Sequence, residues 1–120
     1  MNILMGSVLM LVLLLPVARA DAPENVQKEV NFLLADIGGS GCEFYRNGSW
    51  HDANAAQAHL RDKYTYLAAR NLINTTEDFI EKAATKSSLS GQPYKVKCHG
   101  GPTLSSEQWL RGELARFRTF

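Results

Sequence analysis

The stretch CEFYRNGSWH, residues 42–51, carries the clearest fold signal in the chain. Its first half alternates, so that Cys42 and Phe44 face one way and their neighbours the other, as in a strand with one buried face. Asn47-Gly48 follows, and this pair is typical of a type I′ hairpin turn because both of its central residues need positive φ. The pattern predicts a β-hairpin whose short return strand follows the turn directly.

A second alternating segment, Tyr94 to Cys98, lies far along the chain. Tyr94, Val96 and Cys98 share one face, and two lysines share the other. We expect this strand to pair with the first strand of the hairpin. Cys42 and Cys98 would then both point inward, within bonding distance of each other.

Four segments around these strands have apolar residues at helical spacing. The first follows Pro23 and is expected to end at Gly38-Gly39, where glycine adopts the left-handed conformation freely. The second follows the N-cap Asp52 and ends near Asn71. Capping boxes, Thr75 to Asp78 and Ser105 to Gln108, begin the other two. The expected core-facing residues are Val26, Val30, Leu33, Leu34, Ile37, Ala53, Ala56, Leu60, Tyr64, Leu67, Phe79, Ile80, Ala83, Trp109, Leu110, Leu114 and Phe117. The sequence thus predicts one α+β domain over residues 21–120, with a small three-stranded antiparallel sheet (a hairpin plus one strand) packed with about four helices.

The N-terminal segment has the features of a cleavable signal peptide. The apolar run of residues 3–17 is shorter than the roughly 20 residues that a membrane-spanning helix needs. Ala18-Arg19-Ala20 then matches the small-x-small pattern of a cleavage site. We expect residues 1–20 to be removed after Ala20, giving a periplasmic or secreted protein without a membrane span. An uncleaved anchor is the alternative.

The two cysteines fit this interpretation. An even pair in an oxidising compartment indicates a disulfide, here between Cys42 and Cys98. Closing so long a loop stabilises a small domain by about 4 kcal/mol on the chain-entropy model. Two buried free thiols are the alternative. A structural zinc site is not expected, because the cysteines lack C-x-x-C spacing.

Charge excludes some partners. Removing Arg19 with the leader leaves 12 of the 13 basic residues, against 12 acidic residues. Nucleic-acid binders usually show a clustered basic surplus, and membrane-surface proteins a polybasic stretch. Neither is present in the sequence, so we expect no nucleic-acid partner.

The first candidate site comprises Arg46, Asn47, His59 and Lys63. His59 and Lys63 lie one turn apart on the second predicted helix. If the hairpin packs beside that helix, Arg46 and His51 join them, and the group could bind a carboxylate or a phosphate. The structural alternative is that Arg46 pairs with a nearby acidic residue and His59 is a half-buried helix position.

The second candidate site comprises Ser87, Ser88, Ser90 and Gly91. Hydroxyls and free backbone N–H groups in such a turn can cradle an anion. In the alternative interpretation, the serine side chains satisfy the end of a helix and the turn that follows it.

Catalytic and metal motifs are not found. A serine nucleophile needs a histidine in contact and a third group that orients it, and the chain has no G-x-S-x-G motif. His51, His59 and His99 lack the spacing of known metal motifs. We therefore expect no enzyme activity, no metal and no cofactor.

Four pieces of the chain, taken in order, resemble the domain-of-unknown-function 5329 family. They are Cys-x-Phe-x-Arg-Asn-Gly (42–48), Ala-x-x-His-Leu-Arg-x-Lys (56–63), Phe-Ile-x-x-Ala (79–83) and Ser-Ser-x-Ser-Gly-x-Pro-Tyr-x-Val (87–96). The resemblance implies a small exported or periplasmic bacterial protein. It implies no activity, ligand or partner, so no catalytic residue is carried over.

Together these features predict a non-catalytic binding or accessory module for an anionic ligand, a peptide or an envelope component. A structural or protein-interaction domain without a ligand site is the main alternative. A small serine hydrolase using Ser88 or Ser90 with His59 is the third hypothesis.

Overall fold

The computed structural model describes residues 21–119, so the predicted leader lies outside the described residues. The elements are α1 (Glu24–Gly39), β1 (Glu43–Arg46), β2 (Ser49–His51), α2 (Ala53–Ala68), α3 (Thr76–Ala83), β3 (Lys95–Lys97), β4 (Thr103–Ser105) and α4 (Ser106–Arg118). Within this part of the chain, no helix is long and apolar enough to cross a membrane. The α+β class and the four helices are confirmed.

The helix ends follow the local chemistry of the sequence. Thr75 and Asp78 form a reciprocal capping box, and Asp52 and Ser105 each accept a backbone N–H of the first turn. Asn71, the expected terminator of α2, has φ 59° three residues beyond the last helical residue, Ala68. At the end of α1, the left-handed conformation occurs at Gly41 and not at the two glycines where it was expected.

Gly38 instead allows α2 to approach α1 closely. A Cβ at this position would collide with the side chain of Gln57 on α2. The Gln57 amide donates a hydrogen bond to the Leu34 carbonyl oxygen at 2.9 Å. This contact fixes the helix that carries His59 and Lys63 against the first helix.

The sheet has four antiparallel strands in the order β2-β1-β3-β4. The hairpin and the pairing of β1 with β3 are confirmed, but the prediction of three strands was wrong. The fourth strand, Thr103–Ser105, is three residues long and runs directly into α4. So short a segment has no room for visible alternation, and Ser105, its last residue, is also the N-cap of the helix.

The Cys42–Cys98 disulfide is present, with the two Cα atoms 4.3 Å apart. Cys42 lies just before β1 and Cys98 just after β3, so the bond joins the two central strands at one end. It thereby helps to fix the register that places Phe44 opposite Val96 and Tyr45 opposite Lys95.

The core lies between the helices and one face of the sheet. Phe44 and Val96 face it and are buried, and Trp109 of α4 packs edge-on against Phe44 at 5.9 Å between ring centroids. The opposite face of the sheet carries Tyr45 and exposed residues such as Trp50, which is 43% exposed. The domain is therefore a two-layer structure.

A carboxyl pair, Asp36 and Glu113, joins α1 to α4 beside Arg116. Burial, followed by the hydrogen bond and the charge of Glu113, raises the pKa of Asp36 to about 6, while the pKa of Glu113 is lowered. Arg116 contacts Glu113 at 2.6 Å and Asp36 at 3.7 Å. Asp36 Oδ2 is buried and accepts no hydrogen bond from the described residues. A proton on Asp36 lets this carboxyl donate to the ionised Glu113, so the pair holds one proton below about pH 6.

Asp36→Asn is expected to stabilise the protein above pH 6, by about 1 kcal/mol after allowance for solvent screening. A raised folded-state pKa contributes stability that is complete below pH 3.8 and is lost as the pH rises through about 6. The amide keeps a donor toward Glu113 without the second charge. Urea unfolding at pH 4 and pH 8 measures the effect. Equal gains in the free energy of unfolding at the two pH values would contradict the raised pKa of Asp36.

Candidate functional site

The phenol of Tyr94, just before β3, is the centre of the candidate site. His59 Nε2 lies 3.1 Å from the Tyr94 hydroxyl, and Lys63 Nζ donates to the same oxygen at 3.1 Å. The Lys63 ammonium also donates to the Lys86 carbonyl oxygen at 3.3 Å and lies 5.0 Å from the Tyr94 ring centroid. One turn of α2 thus presents both side chains to one buried tyrosine, as their spacing predicted.

These contacts define a directed chain of hydrogen bonds. The Lys63 ammonium has no acceptor, so the Tyr94 oxygen must accept from it. The phenol proton is then free to bond to His59 Nε2, which accepts it as a neutral imidazole. This tautomer carries its proton on Nδ1, which leaves His59 one N–H donor for another group.

Arg46 brings a second permanent positive charge to the same place. It ends β1, and its charge contributes to lowering the pKa of both His59 and Lys63. Among residues 21–119, neither Arg46 nor Lys63 has a carboxylate oxygen within 4 Å. The alternative in which Arg46 pairs with a neighbouring acidic residue is therefore not what the structure shows.

The electrostatics of the site follow from burial beside like charges. Burial, then the positive charges of Arg46 and Lys63, lowers the pKa of His59 to about 4. Burial is also the main cause of the lowered pKa of Lys63 and of the raised pKa of Tyr94. At neutral pH, the His59 imidazole is therefore neutral and the Tyr94 phenol keeps its proton.

A narrow pocket opens beside these groups. Its cavity volume is about 20 Å³. Its lining residues are Phe44, Tyr45, Arg46, His51, Ala56, His59, Leu60, Tyr94 and Ser106. Ser106 is the first residue of α4, so the positive end of that helix dipole also lies at the pocket. The pocket combines apolar walls with cationic and N–H donor groups.

The serine-rich turn lies beside the hairpin and is held by its own hydrogen bonds. Ser87 is buried, and its hydroxyl accepts from the backbone N–H groups of Leu89 and Ser90 at 3.1 and 3.2 Å. The Ser90 hydroxyl donates to Asn47 Oδ1 at 2.6 Å. These contacts fit the interpretation that the serines satisfy the turn.

The structure therefore separates the predicted site residues. It brings Arg46, His59 and Lys63 together around Tyr94, and it ties Asn47 to the serine turn. Asn47 and Gly91 have positive φ, 50° and 74°, as turn residues. The remaining residue, Ser88, is exposed and donates no side-chain hydrogen bond within the described part of the chain.

Tyr94 and Ser106 are site residues that sequence reasoning missed. Tyr94 was predicted only as an inward-facing strand residue, although a buried tyrosine hydroxyl usually needs a polar partner. Because Tyr94 was expected to face inward, the need of its hydroxyl for a polar partner was the signal that could have found it. Ser106 had no signal, because its place in the pocket depends on how α4 packs. Among residues 21–119, no three His, Cys, Asp or Glu side chains converge as a metal site would require.

The His59 imidazole is expected to titrate near pH 4, well below the 6.5 of a free histidine. A lowered folded-state pKa means that stability is complete above pH 6.5 and is lost as the pH falls toward 4. Following the His59 ring carbons by NMR measures the pKa directly. Arg46→Gln removes one neighbouring charge and should raise it, whereas Arg61→Gln, an exposed position on α2, should leave it unchanged. A pKa near 6.5 in the unmodified protein would contradict this environment.

Comparison with known proteins places the chain in a family. Residues 24–118 match the family of unknown function DUF5329, a range that includes every helix and strand of residues 21–119 and the pocket. The chain belongs to the DUF5329 family. The uncharacterized protein YfeK of Salmonella typhimurium strain LT2 is 37% identical to this chain over 89 residues, which is 73% of this chain and 72% of that protein. No solved structure matches this DUF5329 chain.

Proposed function

We propose that this DUF5329 domain is a non-catalytic binding module that recognises an anionic group through Arg46 and Lys63. The two cations would hold the charge of a carboxylate or phosphate. The His59 Nδ1–H would add a neutral donor, and the apolar walls would contact the remainder of the ligand. The Tyr94 hydroxyl would position Lys63 and His59 rather than react.

The observation that carries the proposal is that Arg46, which lines the pocket, and Lys63, which contacts the Tyr94 hydroxyl beside it, have no carboxylate partner in the described chain. By contrast, the arginines of α4 are paired with carboxylates: Arg118 contacts Glu29 and Glu77 at 2.8 and 2.7 Å, and Arg111 contacts Glu107 at 3.1 Å. Burial, and then the neighbouring charge of Arg46, lowers the pKa of Lys63, so the two cations disfavour each other. An incoming anion would relieve that repulsion and form charge-assisted hydrogen bonds.

Binding is favoured over catalysis by the hydrogen-bond partners of the polar groups. His59 Nε2 is engaged by a tyrosine hydroxyl, and the hydroxyls of Ser87 and Ser90 are used in the turn and on Asn47. A serine nucleophile needs its hydroxyl in contact with a base. The serine-hydrolase hypothesis has no such contact to support it.

Export belongs to the same proposal. The N-terminal apolar segment has the features of a leader, and cleavage after Ala20 would release residues 21–120 as the working domain. The Cys42–Cys98 disulfide fits an oxidising compartment such as the periplasm. The ligand would then be a component of that compartment.

Titration with inorganic phosphate and with acetate tests the proposal. Amide and His59 side-chain shifts of the purified oxidised protein would be followed by NMR. Both anions should perturb the pocket residues and raise the pKa of His59. Arg46→Gln and Lys63→Gln should each weaken binding about tenfold, since a hydrogen bond between charged groups contributes about 1.5 kcal/mol or more.

Arg61→Gln is the matched control, because Arg61 lies on the same helix but is exposed, does not line the pocket and, unlike Lys63, does not contact Tyr94. It removes one positive charge and should leave the affinity within about twofold. Equal losses in all three variants would indicate a diffuse charge effect and contradict a specific site. The absence of any pocket perturbation would contradict the proposal altogether.

A further inference from the structure

We propose that the anion is the free C-terminal carboxylate of a peptide whose last residue has a small apolar side chain, and that the peptide binds as an added strand along β2. This inference rests on the proposed function, since it uses the same cations. It specifies the chemical class of the ligand and a second recognition surface, the open edge of the sheet.

The size of the pocket limits what can enter it. A cavity of about 20 Å³ holds roughly one water molecule. A ligand of drug-like size needs about 300 Å³ or more. The occupant is therefore the end of a longer molecule, with one small group inserted and the remainder outside.

The chemistry of the pocket fits a small aliphatic side chain next to a carboxylate. Phe44, Ala56 and Leu60 supply apolar wall, and all three are buried core residues. A phosphate ion alone would leave this wall in contact with water. A terminal carboxylate can bind the guanidinium of Arg46 in a bidentate manner while its neighbouring methyl group covers the wall.

The remainder of such a peptide meets an exposed sheet edge. The strand order makes β2 an edge strand, and Ser49 and Trp50 are exposed. In a hairpin with a two-residue turn, the residues that flank the turn, Arg46 and Ser49, exchange backbone hydrogen bonds. The pattern alternates, so the N–H and C=O of Trp50 point away from β1 and are available to another strand.

The open edge at β2 leads directly to the pocket. His51, the last residue of β2, lines the pocket, and Trp50 directly precedes it. Arg46, the residue opposite Ser49 in the register, lines the pocket from β1. A peptide strand that pairs with Trp50 can therefore place its C-terminal residue, one or two positions further along, at the cations. The Trp50 indole, on the outer face of the sheet, offers further contact.

Peptide binding can be tested with acetyl-trialanine as a free acid, followed by the backbone amide shift of Trp50 in the oxidised protein. The C-terminal amide of the same peptide should bind at least about tenfold more weakly, because it lacks the charge. Replacing the last residue of the free acid with phenylalanine should also weaken binding about tenfold, because the pocket is too small for the ring. Arg46→Gln should weaken the free acid about tenfold and leave the amide unchanged.

Strand addition is tested separately by backbone methylation of the peptide. Two variants of the peptide would each carry one N-methyl group, on the second or on the third alanine. One of the two should bind about fivefold more weakly, since one backbone hydrogen bond is lost. If neither methylated peptide binds more weakly, strand addition is wrong. If the acid and the amide bind equally, carboxylate capture is wrong.

Phosphate and acetate distinguish this inference from the proposed function. If both anions bind through Arg46 but acetyl-trialanine binds no tighter than acetate, the peptide inference fails and the anion site stands. If no anion perturbs the pocket, both fail. Tighter binding of acetyl-trialanine than of either small anion, with the Trp50 amide shifted, supports the peptide class.

Discussion

Replacing Cys42 and Cys98 together with alanine is expected to lower the free energy of unfolding by about 4 kcal/mol. The disulfide closes a loop across a sequence separation of 56 residues, and the chain-entropy model assigns a loop of this length about that value. Domains of this size have a total stability of only about 5–15 kcal/mol. The variant should therefore be marginally folded near 37 °C. Urea unfolding followed by tryptophan fluorescence measures the difference.

Reduction provides the matched control for the cysteine variant. The oxidised protein should lose most of the same stability in dithiothreitol, and the double variant should lose nothing further in it. A fall of less than about 1 kcal/mol on reduction would mean that hydrogen bonds and packing fix the strand register without the bond.

The disulfide also bears on the candidate site. It joins β1, which ends at Arg46, to β3, which begins directly after Tyr94. Arg46 and Tyr94 flank the end of the β1–β3 pairing that is farther from the disulfide. A slip of the register by one residue would turn either side chain to the other face of the sheet. The bond therefore helps to preserve the alignment of the site as well as stability.

Much of the architecture could be predicted because its signals are local. Asn47-Gly48 determines the hairpin turn through positive φ at both positions, 50° and 88°. The inward-facing cysteines then identified β3 as the partner of β1, a long-range contact that spacing alone rarely reveals. Helix starts were predicted equally well, because a capping residue acts within its own first turn.

The fourth strand and the centre of the site could not be predicted in this way. Thr103–Ser105 is a strand only because β3 offers it an edge, so its signal lies in the tertiary structure. The role of Tyr94 depends on α2 crossing the end of β3, where His59 and Lys63 reach one hydroxyl. The convergence of Arg46 with these residues was a conditional prediction from helical spacing, and the packing of the hairpin beside α2 satisfied the condition.

Phe79→Ala is expected to destabilise the protein by about 4 kcal/mol, close to the effect of losing the disulfide. Phe79 has no exposed surface and packs edge-on against Tyr64 of α2, with 5.7 Å between ring centroids. Truncation removes the transfer free energy of the ring and leaves a cavity between α3 and α2, and such substitutions cost about 3–5 kcal/mol. Urea unfolding at pH 7 measures the loss.

Phe79→Leu keeps the experiment informative if the alanine variant fails to fold. Leucine fills most of the space and should cost about 1–1.5 kcal/mol. Because Phe79 contacts α2 through Tyr64 and does not line the pocket, the leucine variant should retain a His59 pKa near 4 and unchanged phosphate affinity. A shifted His59 pKa in this variant would show that α2 is held in place by α3 packing more than by its contacts with α1. A loss below about 1 kcal/mol for Phe79→Ala would contradict the placement of this ring in the core.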